Sequence, residues 1–242
     1  MKIRADQLLV DRGLADSREK AKALVLAGAV RVNGQKLEKP GHSIAQDANI
    51  EVTQKLRYVS RGGLKLEAAL DRFAIDPLGM TCLDIGSSTG GFTDCLLQRG
   101  AVQVYAIDSG TSQLDWRIRS DARVLVKENY NARHLDVSHF PAPVDLLVCD
   151  VSFISVTLVL PPAQALLREG AQMVILIKPQ FEAGREQVGK GGIVRDPSVH
   201  REVCTRIERF VQAKLGFANT RIVDSPILGA EGNQEFLLHA RR

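Results

Sequence analysis

Apolar residues recur at helical spacing in the opening stretch of the chain, at Leu8 and Leu9 and again at Ala21, Leu24 and Val25, with Gly13 and the cap-forming Asp16 and Ser17 between them. This predicts two short helices, over 6–10 and 18–26. Gly28 ends the second, and residues 30–37 then alternate apolar and polar around Asn33-Gly34, a pair that tolerates positive φ and so marks a hairpin. A further strand over 48–52 completes a small α+β module. Past a polar connector at 53–60, Ser60 is placed to cap a helix over 61–73, and the rhythm then changes. Short apolar runs at 82–85, 102–107, 124–126, 144–149 and 173–177 are separated by helix-like stretches, as in a parallel sheet covered by helices on both faces. Asp196-Pro197 reads as the cap and first-turn proline of a helix carrying Val203, Ile207, Phe210 and Val211. Runs at 220–223 and 235–240 have no long helix between them and predict an antiparallel edge hairpin. The expected fold is α/β: a doubly wound, mostly parallel, Rossmann-like sheet of seven strands over 58–242, preceded by the small module over 1–57.

Composition narrows the class. With 45% hydrophobic and 25% charged residues the chain reads as a soluble protein. Its longest apolar run, Met173–Ile177, falls far short of the ~20 residues needed to cross a bilayer, and the N-terminus is charged throughout. No signal peptide, membrane span or membrane partner is expected, and the location expected is cytoplasmic. Cys82, Cys95, Cys149 and Cys204 are scattered and form no Cys-x-x-Cys pair, which predicts reduced thiols and no bound metal. The net charge of +4 resides entirely in residues 1–57, which hold eleven Lys/Arg against seven Asp/Glu; residues 58–242 hold twenty-one of each. Such asymmetry fits a first module facing a polyanion, although a solvated basic surface explains it about as well.

The residues of that module carry a resemblance. Leu9-Val10-Asp11-Arg12-Gly13-Leu14-Ala15-Asp16-Ser17-Arg18, with Gly28-Ala29-Val30-Arg31-Val32-Asn33-Gly34 and Lys39-Pro40-Gly41, resembles the S4-type RNA-binding domain. The resemblance implies an RNA face on the helix bearing Arg18, Lys20 and Lys22 and on the hairpin bearing Arg31 and Lys36. Arg4 is a further candidate for the same face.

Directly after the first strand of the larger domain comes Asp84-Ile85-Gly86-Ser87-Ser88-Thr89-Gly90-Gly91-Phe92-Thr93, and the second strand ends in Asp108. Glycines there let the backbone turn tightly and approach a ligand, while a carboxylate at the end of the second strand can take two ribose hydroxyls. The spacing is neither G-x-G-x-x-G nor a P-loop, which weakens nicotinamide and nucleotide-phosphate readings. It resembles the first motif of class I methyltransferases. The resemblance implies that Asp84, Gly86, Ser87, Ser88, Thr89, Gly90, Gly91 and Phe92 surround the amino-acid part of S-adenosylmethionine, with Asp108 on its ribose. Asn131, after the third strand, either hydrogen-bonds the base or belongs to an ordinary Asn-rich turn.

Lys178 and Asp150 end adjacent apolar runs, and adjacent strand ends in a parallel sheet open onto one crevice. A solvated strand end remains an alternative for either residue alone. A lysine in such a place can accept the proton of a hydroxyl that attacks a methyl group. The combination Ser60-Arg61-Gly62-Gly63-Leu64-Lys65-Leu66, Asp150-Val151-Ser152-Phe153-Ile154-Ser155, Lys178-Pro179-Gln180-Phe181-Glu182 and Gly232-Asn233-Gln234-Glu235 resembles the TlyA (haemolysin A) family, whose second domain is similar to FtsJ-like ribose methyltransferases. The resemblance covers nearly the whole chain and implies a catalytic tetrad of Lys65, Asp150, Lys178 and Glu235. Lys178 would accept the proton, Lys65 would act as a cation beside it, and the two carboxylates would orient. The implied activity is S-adenosylmethionine-dependent 2′-O-methylation of ribosomal RNA, on cytidine, with ribosomal RNA or a ribosomal subunit as partner. Two other classes stay open: a membrane-active haemolysin, against which the lack of a spanning segment argues, and an RNA-binding ribosome-assembly factor without activity, against which the complete tetrad argues. The glycine-rich stretch 184–192 reads either as a flap over bound RNA or as a plain connection.

Overall fold

The alternation of apolar and polar positions resolves into elements close to the expected ones in a computed structural model that describes residues 2–26, 28–53, 57–229 and 232–242. The chain divides into two compact units, Met1–Arg61 and Gly62–Arg242. Of the connector expected over 53–60, residues 54–56 lie outside the described residues.

In the first unit β1 (Lys2–Arg4) leads into α1 (Ala5–Asp11) and α2 (Arg18–Leu26), followed by β2 (Val30–Val32), β3 (Gln35–Lys36), β4 (Ser43–Ala45) and β5 (Ile50–Val52). Asn33 and Gly34 turn the β2–β3 hairpin with φ of 50° and 79°, the two positive values expected of that pair. β5 pairs with β2 on its other side, as expected of a closing strand, and β1 pairs with β4 in a separate antiparallel ladder that the alternation did not reveal. Three-residue strands with at most one buried position carry too little periodicity to be read. Leu8, Leu9, Ala21, Leu24, Val25 and Val30 form the core between helices and strands.

The second unit starts with α3 (Gly62–Phe73) and continues through β6 (Thr81–Ile85), α4 (Gly91–Gln98), β7 (Gln103–Ile107), α5 (Trp116–Arg119), β8 (Val124–Lys127), β9 (Val144–Cys149), α6 (Val156–Ala163), β10 (Leu167–Ile177), α7 (Pro179–Glu182), α8 (Pro197–Leu215), β11 (Asn219–Asp224) and β12 (Phe236–Arg241). Its seven strands lie in the order β11-β12-β10-β9-β6-β7-β8. The run from β10 to β8 is parallel, and β12 is antiparallel to both β10 and β11, which makes the expected hairpin at the edge. β10 begins six residues before the apolar run that announced it, because Leu167–Gln172 contains Arg168, Glu169 and Gln172 and its pairing with β9 is interrupted by a register shift. Glu235, expected inside the final strand, stands immediately before it. α8 starts as its sequence predicts: the Asp196 side chain accepts a hydrogen bond from the Ser198 N–H and Pro197 occupies the first turn. Val199, Val203, Ile207, Val211 and Leu215 then repeat every fourth residue and are buried. The chain runs outward in both directions from β6 and β9, so the crevice beyond their carboxyl ends is where such a sheet binds ligands.

Candidate functional site

The turn from β6 into α4 is shaped by glycine. Gly86 has φ of +85°, and a Cβ on it would stand 2.5 Å from the carbonyl oxygen of Asp150, so its lack of a side chain lets two strand ends pack together. Gly90, with φ of +95°, packs under Leu114 in the same manner. Ser88 also adopts a positive φ, and its N–H donates to Asp108 Oδ2 at 2.8 Å. Asp108 Oδ1 accepts from the Gly110 N–H at 2.7 Å. Two backbone donors thus fix the carboxylate, and each oxygen keeps a lone pair for a further donor. Asp108 looks into a cavity of about 420 Å³ lined by Gly86, Ser88, Asn131, Asp150 and Ser152 among others. A volume of that order suits a nucleoside-sized ligand.

Among the residues expected around the cofactor, Gly86, Ser88, Asp108 and Asn131 line the cavity, whereas Asp84, Ser87, Thr89, Gly90, Gly91 and Phe92 do not. Gly91 is the first residue of α4, and Phe92 is packed in the core. The Asn131 side chain accepts from the Arg133 N–H, so it caps a turn while lying at the cavity wall. Asp84 is fully buried. Thr93 donates to its Oδ2 at 2.6 Å, while Oδ1 has no hydrogen-bond partner among the described residues. Burial pushes this carboxyl up to about 7, against the opposing hydrogen bond from Thr93, and the nearby Asp150 and Asp108 add to the rise.

The four residues of the expected tetrad form two ion pairs. Lys178, just past β10, lies 2.6 Å from Asp150 Oδ1, just past β9, and it donates a hydrogen bond to Ser152 Oγ at 2.8 Å. Lys65, in the first turns of α3, lies 2.5 Å from Glu235 Oε2, with both side chains almost entirely buried. The β10–β12 register, which pairs Ile177 with Phe236, places Lys178 and Glu235 opposite one another at the next step. Sheet geometry therefore assembles three of the residues at one edge, and α3 supplies the fourth. Each lysine is matched by a carboxylate. Glu182 in α7 braces the surroundings by accepting from the Val156 N–H at 2.8 Å and from Ser155 Oγ at 2.7 Å. That bridge ties the segment after Lys178 to the loop after Asp150.

Sequence reasoning missed several wall residues. Gly110, Gln113, Tyr130, Ser152 and Phe153 reach the cavity from loops whose spacing carries no period. Ser152 and Phe153 stood inside a recognised motif, but only the fold shows where they point. Phe153 is 90% exposed, holds φ of +65° and packs its ring against Phe181.

In the first unit, Arg4 and Arg18 converge on the buried Asp6 at 2.8 and 3.3 Å, while each keeps about half of its side chain exposed. The Arg4 guanidinium holds the Asp6 carboxyl down at about 2. Lys20 pairs with Asp16 one helical turn away. Lys22 lies half-buried on α2. Arg31 and Lys36 stand directly opposite each other across the hairpin. Glu51 of β5 stands opposite Arg31 on the other side, and the Arg31 guanidinium donates to the Gly34 carbonyl oxygen at 3.0 Å. Among the described residues, no three His, Cys, Asp or Glu side chains gather in a way that could hold a metal, and no helix is long and apolar enough to cross a membrane.

Comparison with known proteins matches residues 58–242 to the FtsJ-like methyltransferase family and residues 3–49 to the S4 domain. A Bacillus subtilis protein provisionally named rRNA methyltransferase YqxC is 51% identical over 240 residues, covering 98% of this chain and 85% of its own. The 16S/23S rRNA (cytidine-2′-O)-methyltransferase TlyA of Mycobacterium tuberculosis is 44% identical, covering 98% of this chain and 89% of its own. A solved structure from Streptococcus thermophilus, provisionally named a haemolysin, superposes with a TM-score of 0.79 at 46% identity, covering 100% of this chain and 88% of that one.

Proposed function

Because the chain belongs to the FtsJ-like methyltransferases, in the TlyA (haemolysin A) family that joins them to an S4 domain, we propose that it methylates a ribose 2′-hydroxyl of ribosomal RNA, on cytidine. The observation that carries this reading is the pair of Lys–carboxylate contacts, Lys178 with Asp150 and Lys65 with Glu235, at the carboxyl edge of the sheet, with Asp150 also lining the nucleoside-sized cavity.

S-adenosylmethionine suits the cavity: its ribose would meet the oriented Asp108 carboxylate. When bound, it supplies an electrophilic methyl group. The protein's part is to hold the ribose hydroxyl in line with that methyl and to receive the hydroxyl's proton. Lys178, having first released its own proton to solvent, takes the hydroxyl proton at Nζ as the neutral amine. Asp150 and Ser152 anchor Lys178, while Glu235 and Lys65 form the second, more deeply buried pair beside it. The S4 unit holds the RNA through Arg4, Arg18, Lys20, Lys22, Arg31 and Lys36 and takes no part in the chemistry.

The test is transfer of a labelled methyl group from S-adenosylmethionine to ribosomal RNA and to intact subunits, followed by mapping of the modified nucleotides. A ribose 2′-O-methyl on cytidine is expected. Label on a base, or none on any ribosomal RNA, would refute the assignment.

A further inference from the structure

Lysine carries its charge on a flexible four-carbon stem, and its terminal amine has three donor positions free to rotate about the last C–N bond. An amine that must accept a proton from one particular hydroxyl has to present its lone pair in one direction. The ion pair with Asp150, at 2.6 Å, holds one edge of the amine, and a second contact is needed to complete the restriction of that rotation. A hydrogen bond restricts it, and the one that Lys178 makes as donor among the described residues goes to Ser152 Oγ at 2.8 Å. Ser152 lies two residues beyond Asp150 and lines the cavity with it.

Ser152 is itself held from both sides. Phe153, the next residue, has φ of +65° and packs its ring against Phe181, on the short helix that follows Lys178, with centroids 4.9 Å apart. At the far end of the loop, Ser155 and the Val156 N–H are fastened to Glu182, on the short helix that directly follows Lys178. Both ends of the Lys178–Ser152 bond therefore sit on segments braced against each other.

From this arrangement we infer that Ser152 is a positioning residue that fixes the rotation of the Lys178 amine and so aims its lone pair at the reacting hydroxyl. The inference rests on the ribose-methylation reading. With one N–H engaged by Ser152 and one edge of the amine against Asp150, the remaining corner is the one that exchanges a proton with the substrate.

Single-turnover methylation with saturating cofactor and RNA tests it. Ser152→Ala should lower the rate at saturation about 10-fold, less than the ~100-fold that a misplacement of about 1 Å can cost. Ser152→Thr keeps a hydroxyl and should recover most of the rate. In a Lys178→Ala background, Ser152→Ala should cost nothing further, because a residue that acts through Lys178 has nothing left to aim. A full rate in Ser152→Ala, an equal loss in both backgrounds, or an effect confined to RNA affinity would overturn the inference while ribose methylation by the unsubstituted protein still stood. Failure of the unsubstituted protein to methylate ribose would overturn the function from which it starts.

Discussion

At the scale of single residues, the site balances buried charge in two ways. Lys65 and Glu235 neutralise each other out of water, and Asp84 is buried with one hydrogen bond from Thr93 and one bare oxygen. Because burial raises the Asp84 carboxyl to about 7, the folded chain keeps a proton that the unfolded chain releases from about pH 4 upward. Its contribution to stability is therefore complete in acid and is lost as pH rises through 7. Asp84→Asn should remove that slope and leave the ligand-free protein more stable than the parent at pH 8, by an amount on the order of a few kcal/mol at most. Thermal unfolding from pH 4 to 8 measures this, and parallel curves for the two proteins would contradict it. Lys178→Arg probes the chemistry instead. Arginine preserves the cation but gives up no proton near neutrality, so the rate should fall ~100-fold or more while cofactor and RNA still bind. Single-turnover rates alongside equilibrium titrations separate the two effects, and a near-normal rate would assign the proton to another acceptor.

At the scale of elements, most of the fold was legible because strand and helix periods are strong wherever one face is buried. The parallel strands, the capped start of α8 and the edge hairpin all came from that signal. It failed where burial alternates weakly, in the three-residue strands β1 and β4, and where polar residues open a strand, as Arg168 and Glu169 do in β10. The candidate site divides along the same line. Asp108, Asp150 and Lys178 were readable as charges that end apolar runs, whereas Lys65 and Glu235 were linked to them only by family resemblance, since a helix and the last strand meet there across 170 positions of sequence. Ser152 stood in a recognised motif without a role, and Gln113 was invisible, because loops have no period. Gly86 has more than a local role: its missing Cβ allows the end of β6 to lie against the backbone of Asp150. Gly86→Ala should cost more than ~1 kcal/mol through its positive φ alone. It should also push Asp150 away from Lys178, lowering cofactor affinity and turnover together. Denaturant unfolding and calorimetric titration of the variant check both consequences, and normal values in each would show that the strand ends can part without harm.

At the scale of the whole molecule, charge and chemistry are carried by different units. The excess positive charge belongs to the first, whose hairpin carries Arg31 opposite Lys36. Replacing both with glutamine should weaken RNA binding across sequences and reduce the dependence of log K on log salt by roughly 1.4 to 1.8 if each residue neutralises one phosphate. Cofactor affinity should not change. Binding isotherms at several salt concentrations read the slope, and an unaltered slope would remove the hairpin from the RNA face. The Lys65–Glu235 pair has a different kind of consequence. Its partners are 170 residues apart, so this contact closes a very long loop and cannot be made until the edge hairpin of β11 and β12 has docked against β10. A chain caught before that moment, or one whose outer strands have frayed, can still carry a folded S4 unit while its reactive centre is incomplete. Such a molecule would sit on its RNA and leave it unmarked. Completion of the modification is thereby coupled to completion of folding, and a methyl group on the RNA records that a fully formed enzyme, and not a partial one, has been there.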